Sequence, residues 1–195
     1  MEYNLGNESW REDVLSRDLK GNISSSKAKG SPQTVIIWGY GGHLPVAVIQ
    51  NATYSQVESA IGGQPVIAGL ASAGVPPATD LSKLNQLKTS LSEAHVTTYT
   101  HIPGVGVESI TDPAGLMTTF EYEGGRLVCT RDNDGHKINE YEYHLLTDAD
   151  GRKHMRSRTF RSADAQSFSE DVTWWDKYGR KTQNIAVKAK HSKIL

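Results

Sequence analysis

Cysteine is almost missing from this sequence. Cys129 stands alone among 195 residues, so no disulfide can close within the chain and no cysteine-built metal site can form. Long apolar runs are missing too: none approaches the ~20 residues that a membrane-spanning helix needs. No sign of charge is in excess. The 21 basic and 22 acidic residues give a formal net charge of −1 and are mixed along the chain, which removes the electrostatic argument for nucleic acid or an anionic membrane as partner. Catalytic signatures are also scarce. There is no Gly-x-Ser-x-Gly elbow, and Gly39-Tyr40-Gly41-Gly42 has neither the Lys-Ser pair nor the helix start of a phosphate loop.

What is present is a repeated turn. Thr111–Ile138 holds Asp112-Pro113-Ala114-Gly115 and Asp132-Asn133-Asp134-Gly135 on either side of a run with strand character. Asp at the first turn position accepts backbone N–H groups, Pro113 suits the second, and glycine at the fourth takes φ > 0 without a Cβ clash. Between the turns Phe120 and Tyr122 share one strand face while Glu121 and Glu123 take the other. Gly124-Gly125 breaks that run, Arg126–Cys129 resumes it, and Glu140-Tyr141-Glu142-Tyr143 repeats the alternation. The same unit recurs at Asp18–Gly21, Asp148–Gly151 and Asp176–Gly179. Repetition of this kind predicts an array of antiparallel β-hairpins.

The segment 51–95 is different, with no aromatic residue between Tyr54 and Tyr99. Thr53-Tyr54-Ser55-Gln56 fits a capping box and predicts a short helix from Tyr54 to about Ile61. Gly62–Ala78, rich in Gly, Ala and Pro, reads as a flexible connection. Asp80 reads as the cap of a second helix, whose Leu81, Leu84, Leu87, Leu91 and Ala94 form one apolar stripe, expected to pack on the core. Upstream, 1–32 is polar, with Ser24-Ser25-Ser26 read as a loop between short, poorly packed strands. Thr34, Ile36, Trp38 and Tyr40 then share one strand face, and Val35 and Ile37 the other, as in a strand covered on both faces. The expected organisation is an N-terminal β segment (1–50), a helical insert with its connection (51–95) and a β region (96–195).

Tyr122-Glu123-Gly124-Gly125-Arg126-Leu127 and Trp175-Asp176-Lys177-Tyr178-Gly179-Arg180 resemble the Tyr-Asp-x-x-Gly-Arg core of YD repeats, which define the Rhs / YD-repeat family of large bacterial surface and secreted proteins. Val96–Thr100, Ser109–Gly115 and Ile36–Tyr40 are similar to that family as well. The match is dense from Val96 to Tyr143. Glu123 replaces the usual Asp, and Trp175 the usual Tyr. The resemblance implies a mainly β fold of YD-type antiparallel hairpin repeats with a small helical insert. It also implies a secreted or cell-surface setting and no catalytic residues to carry over. The polar, acidic Met1–Trp10 is not a signal peptide, and the chain is expected to be a fragment of a longer protein, a truncated reading frame or a cytoplasmic relative.

The remaining candidates for chemistry are few. Cys129 alternates with Leu127 and Arg131 and reads as a small buried hydrophobe. The histidines, His43, His95, His101, His136, His144, His154 and His191, form no metal-binding spacing, so no metal or cofactor is expected. Glu121/Glu123 and Glu140/Glu142 are i, i+2 pairs about 7 Å apart on a strand, a spacing a glycosidase tolerates, yet outward strand faces commonly carry acids. Arg156, Arg158 and Arg161 face nearby Asp164, Glu170 and Asp171, so a salt-bridged surface is the stronger reading. Trp174, Trp175 and Tyr178 are the aromatic cluster able to stack on a ligand such as a sugar, although core packing is the commoner use. The leading expectation is a non-catalytic structural scaffold that houses or presents another domain. Its turns are set by Asp112, Gly115, Asp132, Gly135, Asp176 and Gly179, and its partners are further repeats of a parent chain or other copies of itself. A carbohydrate- or cell-surface-binding module is the alternative.

Overall fold

The computed structural model describes residues 12–144, 152–161, 163 and 167–191, with the backbone alone for 12 and 187–191. The fold is mainly β, with antiparallel strands and a small helical part. It divides into two compact units, Met1–Pro103 with Thr111–Gly115, and Gly104–Ile110 with Leu116–Leu195.

The first unit contains β1 (Glu12–Arg17), β2 (Ile23–Ala28), β3 (Thr34–Gly39), β4 (Leu44–Gln50) and β5 (His95–Ile102), arranged in chain order and each antiparallel to the next. Between β4 and β5 come α1 (Tyr54–Ile61), α2 (Gln64–Ser72) and α3 (Ala78–Ser90). The sheet contributes Val35, Ile37, Val46, Ala47, Ile49 and Val96 to a sealed core, and the helices add Val57, Ile61, Ile67, Leu70, Leu84 and Leu87. Each larger aliphatic side chain so buried stabilises the unit by roughly 1.5–3 kcal/mol. On β3 one face is sealed, with Val35 and Ile37, while Thr34, Ile36 and Trp38 are only half-buried. The Trp38 indole N–H donates to the Ile23 carbonyl at 2.8 Å.

Thr53 caps α1 as its sequence requires. The Gln56 N–H donates to the Thr53 hydroxyl, and the Thr53 N–H donates to the Gln56 amide oxygen at 2.8 Å. The apolar stripe of α3 packs inward, with Leu84 and Leu87 buried and Leu81, Leu91 and Ala94 against the core.

Four local expectations are corrected. Gly62–Ala78 is not a flexible connection: α2 occupies most of it, with Ile67 and Leu70 buried. Gly62 ends α1 in the left-handed region, Gly63 precedes α2, and Pro65 lies in its first turn, where the missing N–H leaves no bond unmade. The breakers therefore punctuate two helices. Asp80 is not a cap: α3 starts two residues earlier, after Pro77, and Asp80 sits in its first turn bonded to Lys83 at 2.9 Å. Ser24, Ser25 and Ser26 are buried strand residues of β2, with the Ser16 hydroxyl on β1 bridging to those of Ser24 and Ser25. Tyr40 does not continue the face of β3. At φ 54 it turns into the core, where its hydroxyl accepts the His101 backbone N–H at 2.8 Å.

The second unit is built otherwise. It contains β6 (Gly106–Thr111), β7 (Met117–Glu123), β8 (Arg126–Arg131), β9 (Lys137–His144), β10 (Lys153–Phe160), β11 (Ser167–Trp175) and β12 (Lys181–His191), again in chain order. The pairs from β7/β8 to β11/β12 are antiparallel. Among its described residues there is no helix, and only Cys129, Thr130 and Glu170 are buried. Of its described aromatic residues, Phe120, Tyr122, Tyr141, Tyr143, Phe160, Phe168, Trp174 and Trp175 are half-buried, and Tyr178 is exposed.

The turns share one geometry. In each Asp-x-x-Gly unit at 18–21, 112–115, 132–135 and 176–179 the glycine N–H donates to the aspartate carbonyl at 3.0 Å, and the glycine φ lies between 79 and 90. Asp18, Asp132 and Asp176 each accept two further N–H groups on one carboxylate oxygen, from residues two and four places on. The unit Asp148–Gly151 lies outside the described residues. The β7–β8 connection is of another kind, with Gly124 and Gly125 both at positive φ and Glu123 opposite Arg126, a two-residue hairpin of the type that follows strand twist.

Candidate functional site

The register of β9, β10 and β11 assembles the chemistry of the second unit. His144, His154 and Trp174 form one cross-strand row, Glu142, Arg156 and Val172 the next, and Glu140, Arg158 and Glu170 a third. Side chains in such rows stand side by side on one face. Arg158 donates to Glu170 and to Glu140, each at 2.9 Å. Arg156 donates to Glu142 at 3.1 Å and lies 3.6 Å from Glu170. Glu170 is the buried member, its side chain 9% exposed, and its neutralisation by two guanidinium groups makes that burial tolerable.

The expected salt-bridged surface is thus present around Arg156 and Arg158, but its acids come largely from β9. Glu140 and Glu142 serve as partners in it. Asp164 lies outside the described residues. A bond from Lys137, then the nearby Arg158, holds the Glu140 carboxyl below its ordinary range despite partial burial. Glu121 is likewise held low, first by its bond from Arg131 at 2.6 Å. A general acid needs the opposite shift. Cys129 is buried on β8, and desolvation pushes its thiol up, away from the thiolate that nucleophilic chemistry uses.

The three candidate aromatics do not converge: among the described residues no ring contact joins them. Trp174 stacks on His154 at 4.4 Å, His154 stacks on His144 at 4.1 Å, and the Arg152 guanidinium lies 5.1 Å from the Trp174 ring. Tyr178 is exposed at the tip of the last turn, with Lys177 and Arg180 over its ring at 5.0 and 5.2 Å. Trp175, after a register shift in the β11–β12 pairing, faces the opposite side of the sheet from Trp174. There it lines a groove of about 370 Å³ with Tyr143, Met155, Arg126 and Lys153.

Apart from the stacked His144 and His154, the described histidines do not converge. His101 is buried, with Nε2 2.8 Å from the Pro45 carbonyl. His136 lies 3.4 Å from Asp132, and these two with Asp134 bring three ligand-type atoms within 4.8 Å. Among the described residues this partly exposed trio is the set able to hold a cation, although its Asp132 already serves the turn. It goes unnoticed in the sequence because Asp-x-Asp-Gly-His there reads as a turn alone. The His191 side chain lies outside the described ones. No helix among the described residues is long and apolar enough to cross a membrane.

No protein-family model matches the chain, and no curated protein matches it.

Proposed function

We propose that the chain is a non-catalytic β-scaffold, a fragment of a shell or surface protein of the YD-repeat kind that houses or presents another domain. One observation carries this reading. The second unit places seven strands side by side and buries a single hydrophobic residue, Cys129, among those described. A sheet of that size normally covers at least one face with helices or another sheet. Here cross-strand ladders do the holding: ion pairs on one face, half-buried aromatics on both, and a repeated Asp-x-x-Gly turn at the hairpin ends. A sheet that is held together laterally and buries so little among its described residues suits an array continued by further repeats and closed over by a partner. The paired carboxylates support the non-catalytic part of the reading, since Glu121, Glu140 and Glu142 are consumed as structural counter-ions.

The strand edges support self-association as the behaviour of the isolated chain. β12 pairs with β11 on one side, and an unpaired edge offers its N–H and C=O groups to another chain. Light scattering over a dilution series, paired with thermal melting, tests the proposal. The expected result is concentration-dependent association and a melt that shifts with concentration. A clean monomer with a sharp, concentration-independent melt would remove the scaffold-fragment reading.

A further inference from the structure

The first unit carries a groove that its core does not use. A cavity of about 450 Å³ runs between the β1–β2 hairpin and α2. Gln64, Ala68, Ala71 and Ser72 line it from the helix, and their spacing of three and four puts them on one face. Two of the four are alanines, which keeps the trough open. Ile67 adds an apolar floor, and Leu19, fully exposed at the turn, stands at the rim.

The two ends of the groove differ. At one, the Tyr54 hydroxyl donates to the Gln64 amide oxygen at 3.3 Å. Burial, with Glu58 next, pushes the Tyr54 phenol up, so a neutral ring closes that end. At the other, the Lys20 ammonium donates to the Gly41 carbonyl, and the Gly41 N–H donates at 2.7 Å to the carbonyl of Ala73, just past α2. Lys20 therefore stands beside the helix end at Ser72. The Arg17 guanidinium is held beside the same turn by the Gly21 carbonyl at 2.7 Å. Neither cation makes an ion pair among the described residues. Asp18, the acid in the lining, is turned into its own loop, where it accepts the Lys20 and Asn22 N–H groups and the Asn22 amide.

We propose that this groove binds a medium-chain fatty carboxylate, its tail along α2 and its carboxylate at Arg17 and Lys20. The volume lies within the range of ligand sites. From Gln64 to Ser72 the helix rises about 12 Å, the length of an extended chain of about eight to ten carbons. The tail buries its surface on Ile67, Ala68, Ala71 and the Tyr54 ring. The carboxylate matches the planar fork of Arg17, with the Lys20 ammonium as a second counter-charge. The helix end does not oppose it with bare carbonyls: the Ser72 hydroxyl takes that of Gly69 at 3.2 Å, and the Gly41 N–H takes that of Ala73. A small inorganic anion is disfavoured because it leaves the apolar wall wet. A polyhydroxy ligand is disfavoured because the Ser72 and Tyr54 hydroxyls are already bonded. The inference concerns the first unit and is independent of the scaffold reading, which stands if it fails.

The experiment is isothermal titration of the full chain with octanoate, with 1-octanol as the neutral comparison and butyrate as the short one. Octanoate is expected to bind, and each of the others at least about tenfold more weakly. Ala68→Leu, which fills the trough from the exposed side of α2, is expected to lose at least about tenfold in affinity while keeping its melting curve. The double variant Arg17→Gln/Lys20→Gln is expected to bind octanoate and 1-octanol alike. If removing the Lys20 bond to Gly41 unfolds that chain, Arg17→Gln alone decides, with a loss of at least about threefold for octanoate and none for 1-octanol. Lys29→Gln, outside the groove, is expected to bind as the parent does. Absence of heat with octanoate at millimolar concentration, equal affinity of the parent for octanoate and butyrate, or an unchanged affinity in folded Ala68→Leu would each overturn the proposal. So would sedimentation of the chain with phosphatidylglycerol vesicles without binding of free octanoate, which would make the rim a bilayer contact instead.

Discussion

Arg158 donates its Nε–H to the buried Glu170 carboxylate at 2.9 Å, across the β10–β11 pair. The same guanidinium reaches Glu140 on β9, so one side chain ties three strands that share no apolar core among the described residues. Removing it leaves Glu170 facing only Arg156, at 3.6 Å. Arg158→Ala is expected to destabilise the second unit by about 2–3 kcal/mol, toward the lower range for a broken buried pair. Arg131→Ala breaks the more exposed pair with Glu121 and is expected to cost under about 1 kcal/mol. Urea unfolding of the two variants, followed by tryptophan fluorescence, checks the order; equal shifts would show that Arg158 is an ordinary surface cation.

The carboxylates give the pH dependence. Glu121, Glu140 and Asp176 are held below their ordinary values, by Arg131, by Lys137 and then Arg158, and by the Arg180 N–H respectively. Asp132 is lowered too: partial desolvation opposes the shift, and the His136 and Asp134 N–H groups outweigh it. A carboxyl with a depressed folded-state value stabilises the fold above its unfolded value, near 4, and that contribution is lost as pH falls through the lower folded value. Stability is therefore expected to hold from pH 7 to about 5 and to fall progressively below that. Urea midpoints measured across pH 3–7 test this, and Glu140→Gln is expected to flatten the acid limb. A midpoint that rises on acidification would contradict the ion-pair account.

Two glycines separate turn geometry from open space. Gly135 has φ +82 and Gly74 has no left-handed φ, while a Cβ at either would touch nothing within 4 Å. Gly135→Val is expected to destabilise by about 1–2 kcal/mol through backbone strain alone, and Gly74→Val by much less. Equal melting temperatures for the two variants would refute the turn geometry.

Leu70 tests the unexpected helix. It is sealed in the core of the first unit, on α2. Leu70→Ala is expected to cost about 2–5 kcal/mol, a loss that a residue in a flexible connection does not produce. Denaturant unfolding gives the value.

These examples show which parts of the fold the sequence carries openly. The Asp-x-x-Gly turns and the Thr53–Gln56 cap are local devices, complete within four or five residues, and they appear where their residues stand. The second helix was hidden because Gly62, Gly63, Pro65 and Gly69 read as breakers, while the pairing of Ile67 with Leu70 gains its meaning only from the sheet beneath. The burial of Ser24–Ser26 was hidden for the same reason, since hydroxyls become core residues only once Ser16 is placed beside them. The ion ladder joins residues 12 and 18 positions apart, and the Trp175 groove draws on β8, β9 and β10. Their raw material was visible as alternating Glu, Arg and aromatic residues. The register that pairs one with another is a tertiary fact.

Native-state hydrogen exchange, read residue by residue, tests most directly the claim that the chain pairs a cored unit with a laterally held, uncovered sheet. Amides on β3 and β4, around Val35, Ile37 and Ile49, are expected to exchange only through global unfolding of their unit. Those on β10 and β11, around Arg158 and Thr173, are expected to exchange much faster at micromolar concentration, with protection rising along β12 as concentration increases and edges pair. Uniform protection of both sheets, unchanged on dilution, would show that the second unit has a stability of its own and would contradict the account.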